Sequence, residues 1–102
     1  MDDSQFQEIV DDEFVRIEDR VDELELDIDV NASGGVLTFT LDSGSSVILS
    51  RQIASHEIWV AAKSGGFHLK RAGDGWRCHN TNESLEQLLN RVLMEQACRS
   101  IF

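Results

Sequence analysis

The spacing of apolar residues changes period near Leu24, and that change decides what the chain can fold into. Phe6, Ile9, Val10, Phe14, Ile17, Val21 and Leu24 recur at intervals of three and four, one apolar stripe along a helix over residues 4–24. Ser4 followed by Gln7 fits a capping box at its start. From Leu26 the period falls to two. Leu26, Ile28 and Val30 alternate with Glu25, Asp27, Asp29 and Asn31, which predicts a half-buried strand with an acidic outer face.

Tight turn signals then divide the chain into further strands. Gly34-Gly35 precedes a strand over 36–41, and Asp42-Ser43-Gly44-Ser45 reads as a hairpin loop before one over 46–50. A fourth, over about 57–63, places Ile58, Val60 and Ala62 on one face and Glu57, Trp59, Ala61 and Lys63 on the other. After Ser64-Gly65-Gly66, Phe67 and Leu69 alternate with His68 and Lys70. After Gly73-Asp74-Gly75, Trp76 and Cys78 alternate with Arg77 and His79. The 3.6 period returns over 84–98, where Leu85, Leu88, Leu89, Val92 and Leu93 form a stripe behind a Ser84/Gln87 capping box. Short turns imply an antiparallel meander, and the two helices are its only available cover. The expectation is an α+β two-layer sandwich: about six antiparallel strands, with N- and C-terminal helices on one face and the other face open. At 102 residues and 41% hydrophobic content, this is one domain over residues 1–102.

Several classes are excluded. No apolar run approaches the ~18 residues of a membrane span. The opening Met1-Asp2-Asp3-Ser4 is neither a secretory signal nor an Arg-rich transit peptide, and Cys78 and Cys98 make no disulfide framework. The expected location is the cytoplasm. There is no G-x-S-x-G, phosphate loop or H-E-x-x-H, so no enzyme is expected. His56, His68 and His79 lack ligand spacing and read as ordinary histidines. Cys78 and Cys98 read as packed or free thiols.

Charge is the informative property. The net charge is −10, yet residues 1–29 carry 13 acids and two bases, while residues 30–102 are almost balanced. Generic solubility would spread the acids more evenly. A field of this kind repels nucleic acid and anionic membranes and attracts cations and basic proteins. Glu18, Asp19, Asp22 and Glu23 stand at i, i+1, i+4 and i+5 of the helix, where like charges destabilise it. If the next strand lies beside the helix at the sheet edge, Asp27 and Asp29 extend this row into a ridge. Carboxylates suit hard cations, including iron, rather than copper or zinc, and with no closed cage the affinity is weak. Trp59 is the second anomaly, a large aromatic on an open sheet face, where such residues mark contact surfaces.

These residues together resemble the bacterial frataxin family along essentially the whole chain. The resemblance rests on Ile17-Glu18-Asp19-Arg20-Val21-Asp22, Gly34-Gly35-Val36-Leu37-Thr38, Arg51-Gln52, Glu57-Ile58-Trp59-Val60-Ala61, Gly65-Gly66-Phe67-His68, Trp76 and Ser84-Leu85-x-x-Leu88-Leu89. It implies a protein that regulates or supplies iron for iron–sulfur cluster assembly. Iron, as Fe²⁺ or Fe³⁺, would bind weakly on a ridge of Glu18, Asp19, Asp22, Glu23, Glu25, Asp27 and Asp29, where other hard cations could substitute. A cysteine desulfurase would dock on Glu18, Asp19, Asp22 and Glu25, and Trp59 would meet the iron–sulfur scaffold protein. The resemblance also implies a monomer able to oligomerise with iron. The family's usual Asn before the Arg/Lys-Gln pair is Ser50 here, and a proline common after that pair is replaced at Ala54. The rival reading from the residues is an acidic adaptor for a basic partner, with metal binding incidental.

Overall fold

Asp2, rather than Ser4, caps the first helix of the computed structural model, which describes residues 1–102. Its carboxylate accepts from the Gln5 N–H at 2.8 Å, and the Gln5 side chain accepts from the Asp2 N–H at 3.0 Å. Both pairs satisfy the capping-box spacing. A carboxylate at the positive end of the helix dipole is the stronger cap, and starting there places Asp3 in the first turn. Helix α1 (Asp3–Leu24) buries Phe6, Val10, Phe14, Ile17 and Val21, the stripe expected from the sequence. It ends at Glu25, whose φ of 51° is left-handed.

The first strand begins later than the alternation suggested. β1 is Asp29–Ser33, and residues 25–28 form no ladder. Its partner β2 (Val36–Thr40) ends opposite Asp29, because Leu41 already opens the next hairpin. Residues 25–28 therefore face no strand. Ile28 nevertheless points inward and is buried, so the alternation holds where the hydrogen bonding does not.

β3 (Ser46–Gln52) and β4 (Glu57–Ala62) follow, then β5 (Gly65–Ala72) and β6 (Gly75–Cys78). Consecutive strands pair antiparallel in the order β1-β2-β3-β4-β5-β6. β3 runs two residues further than expected, since Arg51 and Gln52 pair with Ile58 and Glu57. Gly65 and Gly66 lie inside the ladder opposite Ala62 and Ala61, and Lys63-Ser64 makes the turn.

Helix α2 (Leu85–Ala97) starts at the expected Ser84/Gln87 capping box and ends at Cys98 in the left-handed region. Both helices cover the same sheet face. One cluster of 22 buried residues, none polar or charged, joins the helical stripes to Leu37, Phe39, Val47, Leu49, Ile58, Val60, Leu69, Trp76 and Cys78. α1 crosses the sheet: its start packs Phe6 edge-on to Trp76 of β6, while its end lies beside β1. The C-terminal tail closes the seam between the helices. Ile101 is buried, and the Asn90 carbonyl oxygen accepts from the N–H groups of Ile101 and Phe102 at 3.0 and 2.9 Å. Arg20 donates to the Ile101 carbonyl from the α1 side.

Candidate functional site

The carboxylates of residues 18–29 gather around the end of α1 and the edge strand β1. Asp19, Asp22, Glu23, Glu25, Asp27 and Asp29 are exposed, and Glu18 is half-buried. The two bases of residues 1–29 are largely engaged elsewhere. Arg16 holds Glu13 and Glu86, each at 2.7 Å, which with burial opposing leaves its guanidinium pKa raised. Arg20 binds the tail carbonyl and reaches only Glu23, at 3.6 Å. Glu23 is thus the one ridge carboxylate with a cation within 4.0 Å.

The location makes the repulsion worse. The last turn of α1 carries no basic residue, and Asp22, Glu23 and Glu25 stand at the negative end of the helix dipole. An acid there costs roughly 0.3–1 kcal/mol at low ionic strength. A cation bound at this end relieves both the dipole and the neighbouring charges.

The acids do not lie along one line. Glu18 and Asp11 flank a shallow groove floored by Phe14, Val15, Ala32 and Val36 beside the Gly34-Gly35 turn. Asp11 is already held there by Arg51 at 2.7 Å, and the guanidinium lies so close to Gly35 that a Cβ at that position would meet it at 3.0 Å. Asp19 and Glu23 share a second hollow with Arg16, Arg20 and Phe102. Asp27 and Asp29 share a third with Thr40, Leu41 and Asp42. Asp29 pairs with Thr40, on the face away from the helices, so the acidic surface turns the corner of the sheet at β1. Asp42 belongs to this end of the molecule and sequence reading missed it. It sits in the β2–β3 hairpin, and only the β1–β2 register brings it near Asp27. No three His, Cys, Asp or Glu side chains converge to enclose an ion. What the surface offers is a set of open, few-ligand positions for hard cations and a strongly negative contact face.

The two tryptophans separate as the alternation required. Trp76 is 2% exposed and faces the helices, while Trp59 is 37% exposed on the open face. The Trp59 indole N–H donates to Glu57 at 3.0 Å, and the ring stacks on His68 with centroids 4.2 Å apart and 7° between planes. The indole N–H is the main cause of a Glu57 carboxyl held below the usual range. The Ser55 hydroxyl and the charges of His68 and Lys70 add to it, against desolvation. His68 is therefore more than the ordinary exposed residue expected. His56 is engaged too, its Nε2 lying 2.8 Å from Asp3 with its ring stacked on Phe6. Cys78 is buried as expected. Burial pushes its thiol pKa up, but hydrogen bonds from the Thr81 hydroxyl and from backbone at Thr81, Asn80 and His68 outweigh that and leave it lowered.

Residues 1–99 match the frataxin-like domain. The chain belongs to that family. Its structure is similar to that of the frataxin from Psychromonas ingrahamii, with a TM-score of 0.94 at 24% identity over 99% of this chain and 96% of that one. Yeast frataxin superimposes with a TM-score of 0.73 at 20% identity, over 90% of this chain and 80% of that one. A trimeric frataxin from Saccharomyces cerevisiae, complexed with ferrous iron, gives 0.70 at 23% identity, over 91% of this chain and 85% of that one. These likenesses fix the frataxin-like fold, a six-stranded antiparallel sheet under two helices. No helix is long and apolar enough to cross a membrane.

Proposed function

We propose that this frataxin-like protein is a non-catalytic, cytoplasmic, single-domain component of iron–sulfur cluster assembly that binds iron weakly and docks on a cysteine desulfurase. The observation that carries the proposal is the uncompensated charge at the end of α1. Six of the seven ridge carboxylates have no cation partner, and three acids stand against the helix dipole, within a fold whose yeast relative is described with ferrous iron. Iron binds at Glu18, Asp19, Asp22, Glu23, Asp27 and Asp29. The desulfurase contacts Glu18, Asp19, Asp22 and Glu25, and the scaffold protein contacts Trp59. Oligomerisation with iron, suggested by the yeast trimer, belongs to the same proposal.

Iron titration followed by amide NMR tests it. The signals of residues 18–29 should shift or broaden with roughly micromolar or weaker affinity, and those of β3 and β4 should not. Perturbations centred on His56, His68 or His79 would refute the assignment. A variant carrying Glu18→Lys, Asp19→Lys and Asp22→Lys should stay folded and lose the desulfurase. Wild-type binding should weaken with salt as the Debye length falls from about 10 Å at 0.1 M to about 3 Å at 1 M.

One observation favours the second reading, an acidic adaptor for which metal is incidental: no three ligands converge on one ion. Desulfurase capture with and without iron separates the two, since the adaptor binds equally well in both.

A further inference from the structure

Trp59 is gripped from two directions by its own sheet. Glu57, two residues back on β4, accepts its indole N–H at 3.0 Å. His68 is its paired neighbour on β5, and the imidazole lies nearly parallel to the indole, 4.2 Å away. On the other side the paired neighbour is Ser50 of β3, too short to wall in an indole. The next pair along the same face is Ala61 with Gly66, which also offers no wall. An indole on so open a surface would otherwise exchange among rotamers. The stack and the hydrogen bond restrict both its side-chain torsions, and a contact residue already held in its bound orientation loses less freedom when a partner arrives.

We propose that His68 and Glu57 are positioning residues that fix Trp59 as a preformed contact edge for a protein partner. The proposal rests on the reading of Trp59 as the scaffold contact and adds how that contact is prepared. The charged and titratable groups on this face are Glu57 on β4, Lys70 opposite Glu57 on β5, Arg77 opposite Lys70 on β6, and His79, which follows Cys78, the partner of Leu69, and so stands beside His68. Both helices lie on the opposite face and supply none. The orientation of Trp59 should therefore depend on an aromatic ring at position 68.

The test combines a spectroscopic readout with binding. The protein is labelled with 5-fluorotryptophan, and the Trp59 ¹⁹F line is assigned with Trp59→Phe. In His68→Phe an aromatic ring still stacks, and the Trp59 line stays shifted from the position of a solvated indole. In His68→Ala the line shifts toward the position of a solvated indole. Affinity for a purified iron–sulfur scaffold protein should fall about 2- to 10-fold in His68→Ala and in Glu57→Ala, and recover to within about twofold in His68→Phe and Glu57→Gln. A Trp59 line insensitive to His68→Ala overturns the proposal. So does unchanged affinity in His68→Ala while Trp59→Ala binds weakly, and the contact reading then survives. Wild-type affinity in Trp59→Ala removes the contact reading itself, and the positioning role with it.

Discussion

Two tryptophans of one chain sit on opposite sides of one sheet, and truncating each should measure that difference. Trp76→Ala should cost about 3–5 kcal/mol, because it empties a core site lined by Phe6. Trp59→Ala should cost about 1–2 kcal/mol, the worth of a stacked pair and one exposed hydrogen bond. Urea unfolding of the two variants decides, and equal losses would mean that Trp59 is a packing residue. Trp76 carries a further signature. Its indole N–H is buried without a hydrogen-bond partner, so Trp76→Phe removes an unsatisfied donor along with some volume. It should therefore cost clearly less than Trp76→Ala. The opposite orientations were legible in the sequence because side-chain period along a strand is local. The His68 stack was not, because it depends on which residue of β5 stands opposite Trp59. That register is set by the position of the Lys63-Ser64 turn, one residue earlier than the Gly-rich signal suggested.

At the scale of the element, α1 combines a well-made start with a poor finish. Its first turn has a carboxylate cap and a reciprocal glutamine bond, and its last turn has acids at the negative end of the dipole and a glutamate in the left-handed region. Left-handed geometry costs a non-glycine residue roughly 1–2 kcal/mol. Glu25→Gly should therefore stabilise the apo protein by about 1 kcal/mol, removing strain and charge together. Asp22→Asn should add about 0.5 kcal/mol by relieving the dipole and the like-charge repulsion from Glu18, four residues earlier. Asp22→Asn should bind iron and desulfurase more weakly, and Glu25→Gly should bind the desulfurase more weakly, as thermal melts and titrations at low salt would read out. A loss of stability in both would show that these residues are part of how the helix ends. The helix itself was legible, since seven apolar residues at one period leave no other element possible. Its start was ambiguous between two capping boxes of identical spacing. The beginning of β1 was hidden because it is fixed by the end of β2 and not by its own residues. The same dependence kept Asp42 out of the ridge as read from sequence: a hairpin loop joins an acidic surface only through pairing partners.

For the whole molecule the question is how far the ridge is felt. The net charge of −10 arises almost entirely in the first 29 residues, and the molecule extends 37 Å along its longest axis. A Debye length of about 10 Å at 0.1 M salt is short against that dimension, so the balanced remainder cannot compensate the ridge at a distance. The repulsion is local and opposes folding, since an expanded chain keeps its charges further apart. Monovalent salt should therefore raise the melting temperature. Divalent or ferric cations should raise it at far lower concentration, because they bind the native surface as well as screen it. A ligand specific to the native state contributes about 2.7 kcal/mol at 100 times its dissociation constant. For a domain of this length, where 1 kcal/mol shifts the midpoint by roughly 4–8 °C, that is a rise on the order of 10–20 °C. A variant with Glu18→Gln, Asp19→Asn and Asp22→Asn should start from a higher apo melting temperature and gain far less from metal. The two movements have opposite sign, and a surface kept only for solubility predicts neither the crossing nor the difference between mono- and divalent salts. Calorimetric scans of both proteins with sodium, magnesium and iron salts at matched ionic strength would measure it. If the neutralised variant melted lower than wild type, or kept the full metal-induced rise, the ridge would not be the cation-binding surface.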